Sequence, residues 1–206
     1  MYRADMSKAP TQTPLDVRDH ILEVGQRIMA GKGFSAVGLN EILAAANVPK
    51  GSFYHYFGSK DAYGEALLDT YFTAYHAEMD ALLTRTDVTA AASLLQYFES
   101  WQANQSFLDC QGKCLAVKLA AEVVDLSEAM RLAMRQGTSG IITRTASALE
   151  RGVADGSLKF DGSAMEMSGI LYQQWLGASL MVKITRTTTP FDTAMVVTRR
   201  LLNLPE

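Results

Sequence analysis

The residues able to do chemistry in this chain are few and lie in two places. Its two thiols, Cys110 and Cys114, stand four positions apart. In a regular helix that spacing sets their Cβ vectors badly for a disulfide, although Gly112 between them could break the helix. Cys114 opens an amphipathic segment, CLAVKLAAEVV, with Lys118 one turn on. Free N–H groups at a helix start and a nearby ammonium both favour a thiolate, so Cys114 reads as a candidate sensing thiol and Lys118 as its cation. Glu122, a further turn on, competes for Lys118, and an inert packed thiol is the other reading of Cys114. The three histidines, His20, His55 and His76, lack metal-ligand spacing. No phosphate-cradling glycine motif occurs. A Cys114–His76 nucleophile pair is disfavoured because both neighbourhoods read as helix interiors. No catalytic residue, metal or cofactor is therefore assigned, and the chain is not read as an enzyme.

The second place is LNEILAAANVPKGSFYHYFGSK, residues 39–60. Ile42, Leu43 and Ala46 give a short helix an apolar face, Asn47 suits a turn, and Val48 can plug the angle beyond it. Pro49 fits the first position of a second short helix, where its missing N–H costs nothing. That helix, Lys50 to Tyr56, is too short to be stable alone, yet it displays polar groups. A short helix held at a fixed angle while displaying such groups is a helix-turn-helix reader for the major groove. Lys50, Lys60, the Tyr54 hydroxyl and His55 are expected on phosphates, which set position and salt dependence. Ser52 and Phe53 are expected near base edges or thymine methyls, with core packing the alternative for Phe53 and the preferred reading for Tyr56 and Phe57.

These residues need elements to position them. Residues 1–14 read as a flexible arm, 15–60 as the helix-turn-helix domain, and 61–204 as a body for sensing and dimerisation. Val17, Ile21, Val24, Ile28 and Met29 recur at helical spacing before Gly31–Gly33. A long helix from Lys60 to about Leu83 links the two ends of the molecule. Further helices are expected over 88–108, 114–124, 128–154, 162–185 and 191–204, an all-α architecture of about nine helices. Asp125–Glu128 reads as a turn, with Asp125 or Ser127 as cap. Gly137 and Gly140 inside the longest helix mark a bend or a close approach. Trp101, Tyr172, Trp175 and Met181 are candidates to line a small-molecule pocket, with core packing as the alternative. The last two helices are apolar and carry the small residues Gly169, Gly177, Ala178 and Ser179, which suit pairing across a two-fold axis in a homodimer.

Composition sets the outer bounds. Of 206 residues, 48% are hydrophobic and the net charge is -3, which describes a folded chain rather than a disordered one. The charge is uneven: residues 1–60 hold seven basic against five acidic groups, and the remainder 12 against 17. Only the head can face phosphate, and two weakly basic heads make a better DNA-binding device than one. No targeting segment and no run of 18 uncharged apolar residues is found, so no membrane partner and a cytoplasmic location are expected.

Residues about 16–62 resemble the DNA-binding domain of the TetR family of bacterial repressors. The resemblance is carried by Arg18, Ile21-Leu22, Gly33-Phe34, Glu41-Ile42, Ala45-Ala46, Val48, Lys50-Gly51, Phe53-Tyr54-His55-Tyr56-Phe57 and Ser59-Lys60. Two positions depart from it: Gly25 stands where the family usually has Ala, and Gly38 where it usually has a capping Thr or Ser. The resemblance implies an all-helical homodimer that binds double-stranded palindromic operator DNA and takes its signal in the C-terminal body. GKCLAVKLAAEVVDLSEAMR and YQQWLGASLMVKITR further resemble an electrophile-responsive branch of that family. That resemblance implies release from DNA when Cys114 reacts with an electrophile or reactive chlorine species, with Lys183 as the lysine that bonds to it on oxidation. An acrylate-responsive branch shares the cysteine-leucine step and a similar lysine, so a reversibly bound small organic inducer is the alternative.

Overall fold

A computed structural model of the chain describes residues 14–105 and 115–205, and every regular element among them is an α-helix. The head consists of α1 (Pro14–Lys32), α2 (Leu39–Ala46) and α3 (Lys50–Phe57). The body follows as α4 (Lys60–Leu83), α5 (Ala90–Gln105), α6 (Leu115–Leu126), α7 (Glu128–Ala154), α8 (Ala164–Thr185) and α9 (Thr189–Leu201). The expected arm up to residue 13, Cys110 and Cys114 lie outside the described residues.

The turn between α2 and α3 forms where Asn47 adopts a left-handed conformation, φ 54° and ψ 44°, which its short polar side chain tolerates better than most. Asn47 N–H then donates to Ala44 O and Val48 N–H to Leu43 O, closing the last turn of α2. Pro49 is extended at φ -71° and stands at the N-cap of α3 rather than in its first position; the helix begins at Lys50, as expected, and runs one residue further, to Phe57. Gly38, the N-cap of α2, makes no side-chain cap bond.

Inside the head, Phe53 is fully buried. Its ring lies 5.1 Å from that of Phe57 and 5.2 Å from that of Tyr63 at the start of α4. The Tyr63 hydroxyl donates to Ile21 O at 3.1 Å, and burial pushes that phenol's pKa well up. Gly25 explains itself here: a Cβ at this position would overlap the Tyr63 hydroxyl and sit 2.8 Å from Cζ. The departure from alanine makes room for a tyrosine that joins α1 to α4.

In the body, α4 packs along α7 at close range. A Cβ on Gly137 would overlap the Phe72 ring, and one on Gly140 would come 2.7 Å from His76 Nε2. His76 Nε2 is bonded to Gly137 O at 2.9 Å, and Arg144 grips Asp80 through two bonds of 2.8 and 3.0 Å. The two glycines thus mark a close approach of α4 to α7. Asp125 and Leu126 continue α6, with Ser127 alone capping α7. Similarly, α9 starts at Thr189, with Pro190 in its first turn.

The outer helices close over an aromatic cluster. Trp175 is wholly buried, stacked 4.7 Å from Phe98 and 5.8 Å from Phe191, with its indole N–H on Thr198 Oγ1 at 2.9 Å. Trp101 donates likewise to Ser179 Oγ at 2.9 Å. Ser179 and Ala178, expected on a pairing surface, are buried within the chain. The outward side of α8 instead presents Met165, Ile170, Leu180, Met181 and Ile184, joined by Val196 of α9. Gly169 and Gly177 have open space where a Cβ would stand. Among the described residues no helix is long and apolar enough to cross a membrane.

Candidate DNA interface and body cavity

The reader helix α3 has two unlike faces. Phe53 and Phe57 point into the head, while Lys50, Gly51, Tyr54 and His55 are exposed and Ser52 is half-buried. Lys50 and Tyr54 stand one turn apart, with Lys50 Nζ 5.8 Å from the centre of the Tyr54 ring. A Cβ on Gly51 would touch nothing. This face offers an ammonium, a phenol and an imidazole around a position where a backbone can come close. Phe53 must be reassigned: with no exposed surface it packs the head and cannot meet a base edge. Lys50→Ala should lower the slope of log affinity against log salt by about 0.9 per protomer bound. Tyr54→Phe, losing one hydrogen bond to an anionic phosphate, should weaken operator binding about tenfold or more. Fluorescence anisotropy over a salt series reads both.

Lys60, also expected on phosphate, is placed differently. Its Nζ donates to Phe34 O at 3.1 Å and stands 4.6 Å from the centre of the Phe34 ring. The other side of the same loop is held by Glu122 of α6, which accepts the Phe34 N–H at 3.0 Å and also the Ser35 N–H. Glu122 therefore serves the loop, where the sequence suggested a partner for Lys118. Burial pushes its pKa up, but the Ser35 and Phe34 donors and the Lys60 charge outweigh that and hold it below the ordinary 4.5. A carboxyl with a depressed folded pKa contributes stability above its unfolded pKa and loses it as pH falls through the folded one. Thermal melts taken downward from pH about 4.5 should show an acid-side loss that shrinks in Glu122→Gln.

A cavity of about 630 Å³ lies between head and body. Gln26, Arg27 and Ala30 of α1 form one side. Tyr71, Tyr75 and Met79 of α4, Tyr97 and Trp101 of α5, and Leu115 of α6 form much of the rest. The Tyr75 and Tyr97 hydroxyls are hydrogen-bonded at 3.1 Å, and Glu78, Ser100 and Asn104 add polar groups. Volume and lining fall within the range of small-molecule sites. Of the four pocket candidates, only Trp101 lines this cavity. Tyr172 and Trp175 are core, and Met181 is 45% exposed on the outer side of α8. Lys118 and Lys183 are half-buried, on α6 and in the last turn of α8.

Sequence reasoning missed Glu122 as a loop anchor and missed the tyrosines of the cavity. Tyr71 and Tyr75, one turn apart on α4, were a visible signal but read equally well as core. Nothing local in the sequence marks Gln26 or Arg27 as a cavity wall.

Comparison with known proteins agrees with this geometry. Residues 21–67 match the family model for bacterial regulatory proteins of the tetR family, and residues 90–197 match that for the tetracyclin repressor-like C-terminal domain. The HTH-type transcriptional repressor NemR of Escherichia coli K12 is 40% identical over 197 residues, covering 94% of this chain and 97% of that protein. The HTH-type transcriptional repressor DhaR of Mycobacterium sp. strain GP1 is 31% identical over 181 residues, covering 88% and 89%. The crystal structure of the reduced form of E. coli NemR superposes with a TM-score of 0.88 over 92% of this chain and 98% of that one. A two-faced reader helix on a helical body, two family models and a 40% identical relative of nearly the same span converge: the chain belongs to the TetR family of DNA-binding, non-catalytic transcriptional regulators.

Proposed function

We propose that this protein is a repressor whose dimer occupies a palindromic operator through Lys50, Ser52, Tyr54 and His55, and leaves it when Cys114 reacts with an electrophile. The observation that carries the sensing half is the cavity: Leu115, the residue that follows Cys114, forms part of its wall, and α1 of the head forms another part. A molecule reaching this wall stands between the sensing segment and the DNA-binding unit. With a maleimide, the Cys114 thiolate adds to the alkene carbon, forming a C–S bond, and the neighbouring carbanion takes a proton from water. With hypochlorous acid, the thiolate sulfur takes chlorine and releases hydroxide. The Lys183 amine then displaces chloride, losing a proton and forming an S–N bond. The resemblance of 112–131 and 172–186 to electrophile-responsive members supports this reading.

Dimerisation is supported by the outward apolar side of α8, where Met165, Ile170, Leu180, Met181 and Ile184 are each 45% exposed or more. Covering such a patch is a common reason for helices to pair. A second reading follows from the size and aromatic lining of the cavity: a small organic inducer binds there reversibly and drives the same release. Operator binding recovered by dialysis favours that second reading. Release that persists until a thiol reductant is added favours S–N or disulfide chemistry, and release that resists reductant favours alkylation.

A further inference from the structure

The loop joining α1 to α2 is held in an unusual way. Gly33 takes φ +90°, which turns the next two N–H groups, of Phe34 and Ser35, toward α6. Both end on the Glu122 carboxylate. A Cβ on Gly33 would come 2.9 Å from Glu122 Oε2, so the carboxylate lies against a bare backbone. From the opposite side Lys60 of α4 takes the Phe34 carbonyl. The Phe34 ring fills the space beside Gly64, where a Cβ would stand 2.7 Å from it. Two loop residues are thus gripped by α6 at their N–H groups, and one of them by α4 at its C=O.

We propose that Glu122 is the positioning residue through which α6 and the DNA-binding head sense each other. Leu119 and Val123, on either side of it in α6, are buried in the body, so Glu122 moves with that helix. An apolar contact at this joint would slide under a small shift of α6. Hydrogen bonds from two successive amides do not, because they weaken steeply with distance and angle. A shift of α6 must either drag Phe34, and with it α2 and α3, or break two charge-assisted bonds, one of them from the part-buried Phe34 amide, at a cost that favours dragging. By linkage the same joint works in reverse, so operator binding at the head alters α6. This inference deepens the repressor reading, rests on its DNA-binding half, and holds for covalent or reversible inducers alike.

The test is hydrogen exchange followed by mass spectrometry on the full-length protein, free and saturated with the DNA upstream of its own coding sequence. In the wild type, operator should slow exchange in 115–126 roughly tenfold. In Glu122→Ala that response should vanish while protection of 33–58 by DNA remains. Glu122→Gln, with one oxygen still able to accept, should keep part of the response, and it carries the test if the alanine variant fails to fold. An undiminished response in folded Glu122→Ala and Glu122→Gln overturns the proposal, as does no response in the wild type. Neither result bears on whether Cys114 reacts, which the release assay reads separately.

Discussion

Phe53→Ala is expected to destabilise the head by about 3–5 kcal/mol, the usual cost of emptying a fully buried aromatic site. The ring has no exposed surface and contacts Phe57 and Tyr63, which join α3 to α4. Two of the head's three helices, α2 and α3, have eight residues each, below the length at which an isolated helix persists. A loss of that size should therefore unfold the reader unit while the body stays folded. Denaturant unfolding followed by Trp101 and Trp175 in the body and by circular dichroism for the whole chain should become biphasic, and operator binding should disappear. Had Phe53 been a base contact, the same variant would weaken binding with stability unchanged, as Tyr54→Phe should.

Gly25→Ala is the second large effect, expected to cost about 2–3 kcal/mol through overpacking. The added methyl falls on the Tyr63 hydroxyl, whose bond to Ile21 O must then break. Alanine is otherwise the better helix former by about 1 kcal/mol, so the sign of the change separates packing from propensity. Tyr63→Phe in the same chain should restore part of the loss, since the hydroxyl is the nearest atom and the ring carbon behind it still crowds the site. A midpoint unchanged or raised in Gly25→Ala would mean that α1 and α4 do not approach as described.

The helices themselves were legible because their signals are local. Asn47 before Val48-Pro49 marks the turn, Ser127 marks a helix start, and the apolar spacing of Tyr63 to Leu83 marks a continuous α4. Which face a residue turns is set by partners far along the chain, and there the reading failed. Phe53 looked equally fit for DNA and core until Tyr63 claimed it. Trp175, Tyr172 and Met181 share one helix, yet the first two turn into the protein and the third outward. Glu122 sits one turn from Lys118 and looked like its partner, but the backbone of Phe34, 88 positions away in sequence, satisfies it instead. Gly25 shows the same limit: only the position of Tyr63 explains why alanine is missing there.

The central claim is that release from DNA runs through Cys114. It is tested most directly by operator anisotropy on the protein's own upstream DNA, before and after N-ethylmaleimide, for wild type and Cys114→Ser. Loss of at least about tenfold in affinity for the modified wild type, with the serine variant unmoved, is the expected result. Equal release in both proteins, or none in the wild type despite complete alkylation of Cys114, would contradict it.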